Sequence, residues 1–124
     1  MKQNIILDKS YAFALRIIRL SEYLQEKKAF VLKDQILRSG TSIGANAEEF
    51  VGASSKKDFL AKLNISYREA RETHYWLRLL RDAGYITKRM AESMLADCEE
   101  LLKILGSIQK TMKSQLKDDS DSNS

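Results

Sequence analysis

Apolar residues recur at intervals of three and four along almost the whole chain, the spacing that places them on one side of a helix. In the first segment Leu7, Tyr11, Ala14, Ile18, Ser21 and Leu24 form one such arc, and Phe13, Ile17 and Leu20 form a second beside it. The spacing predicts a helix that starts after Asp8, whose carboxylate can cap the first-turn N–H groups, and runs to about Glu26. A helix packed on one core needs a single apolar arc, so the surplus calls for a second neighbour.

A second helix is expected over about Phe30 to Phe50, with Ala29, Leu32, Ile36, Ile43, Ala47 and Phe50 on one stripe. Its middle, Ser39-Gly40-Thr41-Ser42-Ile43-Gly44-Ala45, is built of small residues. Each Gly lowers helix propensity by about 1 kcal/mol relative to Ala, so a close approach by another helix must hold the segment, or it is a loop between two shorter helices.

Ser55 and Asp58 form a capping box that opens a third helix, which ends at about Ala83 before Gly84. Phe59, Leu63, Tyr67, Ala70, His74 and Leu77 share one arc; Ile65, Trp76, Leu79 and Ala83 share another. Thr87 caps a fourth helix whose stripe runs from Met90, Met94 and Cys98 through Leu101, Leu105 and Ile108 to Met112 and Leu116. Acidic residues in its first half and Lys103, Lys110 and Lys113 in its second follow the order that the helix dipole favours. From Lys117 to Ser124 no apolar residue remains, and a disordered acidic, serine-rich tail is expected over 117–124.

Four long helices joined by short links predict an all-α fold: an antiparallel up-down-up-down four-helix bundle over residues 1–116. The absence of Pro and a count of only five Gly agree with helix throughout. Surplus apolar surface on helices one and three predicts self-association. A single Cys cannot form an internal disulfide, no signal core precedes the first helix, and no apolar run approaches the roughly 18 residues of a membrane span. The expectation is a cytoplasmic protein without a membrane partner.

Catalysis needs a positioned nucleophile, base or metal, and this chain offers one His, one Cys and no glycine-rich phosphate loop. His74 and Cys98 both fall on apolar arcs and read as bundle residues, and no Glu is followed by His three residues later, the pairing of bundle di-metal sites. The chain therefore reads as non-enzymatic, without metal or cofactor. Its formal charge of +4 rises to +6 when the tail is set aside, and such a charge attracts polyanions without specifying them. Arg68, Arg71, Tyr75 and Arg78 share one side of helix three, and Arg16 and Arg19, with Tyr23 and Lys27, repeat the theme on helix one. Arginines interleaved with an aromatic can hold phosphates and stack on a base. The competing reading, placed ahead, pairs Glu72 and Asp82 with Arg68 and Arg78 as a solvated face.

The run Gln35-Ile36-Leu37-Arg38-Ser39-Gly40-Thr41-Ser42-Ile43-Gly44-Ala45-Asn46-Ala47-Glu48-Glu49 resembles the signature of a bacterial family, the four-helix-bundle products of intervening sequences in 23S ribosomal RNA genes. Further matches follow at Lys57-Asp58-Phe59, Lys62-Leu63, Ser66, Arg68 to Thr73, Tyr75 to Leu80 and Gly84, so the likeness covers about residues 8–113. Ala47, commonly Ile in the family, and Phe50-Val51, where a small residue is usual, depart from the pattern. The resemblance implies a homopentamer without assigned enzymatic activity, distantly similar to the nucleic-acid-binding accessory subunit of diversity-generating retroelements, which also binds a reverse transcriptase. Within the signature Ser39, Gly40, Ser42 and Gly44 permit close helix approach, and Asn46 and Glu49 can hydrogen-bond across it, with Trp76 a further packing residue. Two roles follow: a homo-oligomer binding RNA or DNA phosphates, or a protein-interaction scaffold, such as an accessory factor for a nucleic-acid enzyme.

Overall fold

The three-and-four spacing is realised as four helices: α1 (Lys2–Glu26), α2 (Phe30–Val51), α3 (Lys56–Asp82) and α4 (Lys88–Ser122). The computed structural model describes residues 2–122, with side chains described for 5–119. Buried positions alternate by three and four on every helix: Ile6, Ser10, Phe13, Ile17, Leu20 and Leu24 on α1, and Leu63, Ser66, Ala70, Thr73, Leu77 and Leu80 on α3. This is the seam along which side chains interdigitate in bundles. Each helix packs on its neighbours in sequence, α1 also meets α4, and neither diagonal pair of backbones comes close among the described residues. The arrangement is the expected up-down-up-down bundle, an all-α fold.

On α1 the core side is one residue out of phase with the arc that first suggests itself. Phe13, Ile17 and Leu20 are buried with Ile6, while Tyr11 and Ile18 stand exposed and Leu7 and Ala14 are half-buried. The choice is made by α2. A Cβ on Gly40 would lie 2.7–2.9 Å from three carbons of Ile17, and one on Gly44 would lie 3.2 Å from Ser10 Oγ. Only the missing side chains let these two backbones approach so closely, and that contact keeps the glycine-bearing middle of α2 helical. The start of α1 also differs: Ile6 is fully buried, so the helix extends upstream and Asp8 lies within it instead of capping it.

The links are short, and most helix ends beside them are closed locally. Ser55 Oγ accepts from Asp58 N–H at 3.0 Å and Thr87 Oγ1 from Met90 N–H at 3.1 Å, the two N-caps expected from sequence. Gly84 adopts φ 82°, with its N–H donating to Arg81 O and that of Tyr85 to Leu80 O, which ends α3 in a Schellman motif. The same two-bond motif ends α1, with Lys28 N–H donating to Gln25 O and Ala29 N–H to Leu24 O. There the left-handed residue is Lys28, at φ 60°.

The last helix reaches into the range expected as a tail. Residues Lys117 to Ser122 continue α4, since neither Gly nor Pro follows Gly106 and Asp119 pairs with Lys56 at the start of α3. Asn123 and Ser124 lie outside the described residues.

Candidate nucleic-acid interface

The polar residues of the α2 signature act mainly on helix packing. Ser39 is fully buried, its hydroxyl 2.9 Å from that of Thr73, and Ser66 Oγ donates to Ile43 O at 2.8 Å. Both bonds tie α3 to α2 and leave no buried hydroxyl unpaired among the described residues. The bonds expected across the interface from Asn46 and Glu49 are not the ones formed. Asn46 Nδ2 donates back to Ser42 O at 2.9 Å and Ser42 Oγ to Arg38 O at 2.6 Å, each within α2, and Glu49 is exposed. Short polar side chains reach the carbonyl one turn back more readily than a neighbouring helix.

Arg38 of the same signature takes the cross-helix role. Its guanidinium pairs with Glu69 at 3.1 Å and with Glu72, and Glu72 also accepts from Trp76 Nε1 at 3.0 Å. Trp76 is half-buried and packed against the core, and its ring makes a T-shaped pair with Tyr75, with centroids 5.2 Å apart. Periodicity assigns Arg38 only to the outside of α2. Its partners lie some thirty residues downstream and become neighbours through the α2–α3 register alone.

This network decides the state of the α3 arginines. Arg68, Arg71, Tyr75 and Arg78 form one exposed line along α3, opposite the buried Leu63–Leu80 seam. The carboxylates expected to neutralise them are bound elsewhere: Glu72 by Arg38 and Trp76, and Asp82 by Arg81, at 2.7 and 3.2 Å. The Arg81 bond holds the Asp82 carboxyl below its ordinary range, with Arg78 a smaller influence. Among the described residues Arg68 and Arg71 make no ion pair, and the Arg78 guanidinium carbon lies 5.8 Å from the Tyr75 ring centroid. The face is solvated as expected, but the expected pairs of Glu72 with Arg68 and of Asp82 with Arg78 are not the ones formed.

Arg16 and Arg19 do not join that line. Helices α1 and α3 occupy diagonal corners, so their arginines face different sides of the bundle. Arg16 pairs with Asp97 and donates to Ser93 Oγ at 2.9 Å, bridging α1 to α4, whereas Arg19 is exposed and makes no ion pair among the described residues. Nearby, Lys9 and Glu100 form a second bridge at 2.8 Å, which raises the Lys9 pKa.

His74 Nε2 lies 3.1 Å from Glu99 Oε1, a partly covered α3–α4 contact. Cys98 is fully buried and donates to Ala70 O at 3.3 Å, and burial pushes its thiol up to about 12, with Glu99 and Asp97 adding to the shift. A thiol so raised is a packing group and a poor nucleophile. Among the described residues no cluster of His, Cys, Asp and Glu is arranged to hold a metal ion, and no helix is long and apolar enough to cross a membrane.

Residues 2–107 match the 23S rRNA-intervening sequence protein family. The chain belongs to that family. A similar solved structure, a protein of unknown function from the S23 ribosomal protein family of Bacteroides thetaiotaomicron, is 52% identical over 89% of this chain and 99% of that one, with a TM-score of 0.87. A comparison with curated proteins finds no match. The matched residues include the α2 segment that sets the α1–α2 distance through Gly40 and commits Glu72 through Arg38.

Proposed function

We propose that this intervening-sequence protein is a non-catalytic homo-oligomer that binds RNA or DNA phosphates through the exposed line Arg68, Arg71, Tyr75 and Arg78. The supporting observation is the commitment of Glu72 and Asp82 to other partners, which leaves a row of cationic side chains around one aromatic ring. Guanidinium groups so placed hold phosphates, and Tyr75 offers a stacking surface that tolerates any sequence. Release of counterions from the nucleic acid supplies most of the affinity and makes it steeply salt-dependent.

Self-assembly is supported by the outward side of α1, where Ile5, Tyr11, Leu15 and Ile18 are 44%, 67%, 46% and 42% exposed. Between α1 and α2 the same side holds a groove of about 280 Å³ containing Leu7, Tyr11, Ala14 and Gly44. Exposed apolar surface of this kind favours association, and an oligomer multiplies a weak phosphate site by its copy number. The ring size is that of the pentamer implied by the family resemblance.

Replacing Arg71 and Arg78 together by Ala tests the reading. Both are exposed, so circular dichroism and oligomer mass should stay unchanged. RNA affinity should fall, and the slope of log K against log salt should flatten by about 0.7–0.9 for each phosphate no longer neutralised. Equal binding by the double variant rules the α3 line out. A protein whose mass by light scattering is that of a monomer rules the assembly out. An oligomer that ignores RNA and DNA and retains a protein partner would instead be the scaffold.

A further inference from the structure

We propose that the groove between α1 and α4 seats one unstacked base of a single-stranded nucleic acid, with the neighbouring phosphates held by Arg19 and Lys27. The inference rests on the nucleic-acid reading above and adds a second, chemically different site on another side of the bundle.

The seam between α1 and α4 is the most sparsely packed of the four. Near its α1 C-terminal end it opens into a groove of about 280 Å³ lined by Arg16, Arg19, Leu20, Tyr23, Met90 and Met94. That volume lies just under the range of about 300–1,000 Å³ usual for ligand sites and suits one planar ring system better than an extended ligand. The floor is apolar and, in its two methionines, polarizable, so it offers favourable contact to an aromatic ring. Tyr23 supplies the aromatic wall.

Charge selects the occupant. Arg19 and Tyr23 on α1, and Lys27 in the turn just past its end, follow one another at intervals of four, which puts Tyr23 between the two cations along the chain. Lys27 Nζ lies 5.3 Å from the Tyr23 centroid. Both cations are exposed, and neither makes an ion pair among the described residues. Asp97, which reaches across the seam from α4, is occupied by Arg16, which is further held by Ser93. An apolar slot with a cation on each side of its aromatic wall matches a base with a phosphate on each side. A duplex keeps its bases stacked and can meet this site with phosphates alone.

The experiment compares fluorescein-labelled oligouridylate with an RNA duplex of equal length, both by anisotropy. Met90→Trp fills the groove without changing charge and should weaken oligouridylate about tenfold, the loss of one stacked base, while duplex affinity stays within about twofold. Arg19→Ala, at an exposed position that leaves the core intact, should weaken oligouridylate and flatten its salt slope by about 0.7. Oligouridylate binding unchanged in both variants overturns the groove. If Arg71→Ala/Arg78→Ala then still weakens RNA, the α3 reading survives alone. Wild-type binding of duplex without oligouridylate likewise removes only the groove, and binding of neither removes both proposals.

Discussion

Gly40→Ala sets two opposing effects against each other at one atom. The added methyl favours helix by about 1 kcal/mol, because Gly has the greater backbone freedom in the unfolded chain. In the fold that methyl would stand 2.7, 2.8 and 2.9 Å from Cγ1, Cδ1 and Cγ2 of Ile17, a side chain with no solvent exposure. Ile is branched at Cβ and stiff there, so Cγ1 and Cγ2 cannot both swing aside, and α1 must move off α2. Overpacking of a closed core costs about 1–3 kcal/mol, and three simultaneous close approaches belong at the upper end. The net expectation is destabilisation by about 2 kcal/mol. Gly106→Ala is the internal control: its Cβ would meet Tyr67 Cε2 at 3.9 Å, ordinary contact, so the propensity gain stands and stability should rise by up to about 1 kcal/mol. Urea unfolding followed by circular dichroism, at one fixed protein concentration because the proposed assembly would add to apparent stability, measures both. A Gly40→Ala protein as stable as the parent would refute the close-approach argument. Adding Ile17→Ala to Gly40→Ala should show a coupling of at least about 1 kcal/mol, since the second change removes the clash.

Three other outcomes follow from particular residues. Lys28 holds the left-handed position that ends α1 at φ 60°, so Lys28→Gly should raise stability by about 1 kcal/mol in the same urea assay. Trp76→Ala removes a half-buried indole and its bond to Glu72 and should cost about 2–3 kcal/mol; unchanged unfolding would take Trp76 out of the packing. Burial raises the Cys98 thiol from 9.0 to about 12, so between those values the unfolded chain releases a proton that the fold retains. Stability should therefore fall as pH rises through that window, and Cys98→Ala should remove that part of the fall; parallel pH curves for the two proteins would contradict the assignment.

Much of the architecture is determined by letters close together in the chain. Helix ends at Ser55, Gly84 and Thr87 are legible because a cap and its partner lie within a few residues. So are the inward sides of α2 and α4, where one apolar arc dominates, and that of α3, where Leu63, Ala70 and Leu77 of the first arc are buried. On α1 two arcs compete, and periodicity has no means of choosing between them; the choice falls to Gly40 and Gly44 on another helix, through steric fit. The reach of α1 upstream of Asp8, and of α4 beyond Leu116, likewise depends on partners supplied by the fold, a closed core around Ile6 and Lys56 opposite Asp119.

Charge shows the same division more sharply. The sequence determined which arginines share a side of α3, since that needs only the helical repeat. Whether those arginines are neutralised was decided by tertiary structure, because Arg38 on α2 captures Glu72 and so withholds it from Arg68. The separation of Arg16 and Arg19 from the α3 line, and the opening of a groove beside Arg19, are also products of helix arrangement. Local propensity and periodicity act over one or two turns and are written in the chain. Ion-pair choice and groove shape depend on distances between helices, which exist only once the bundle has closed.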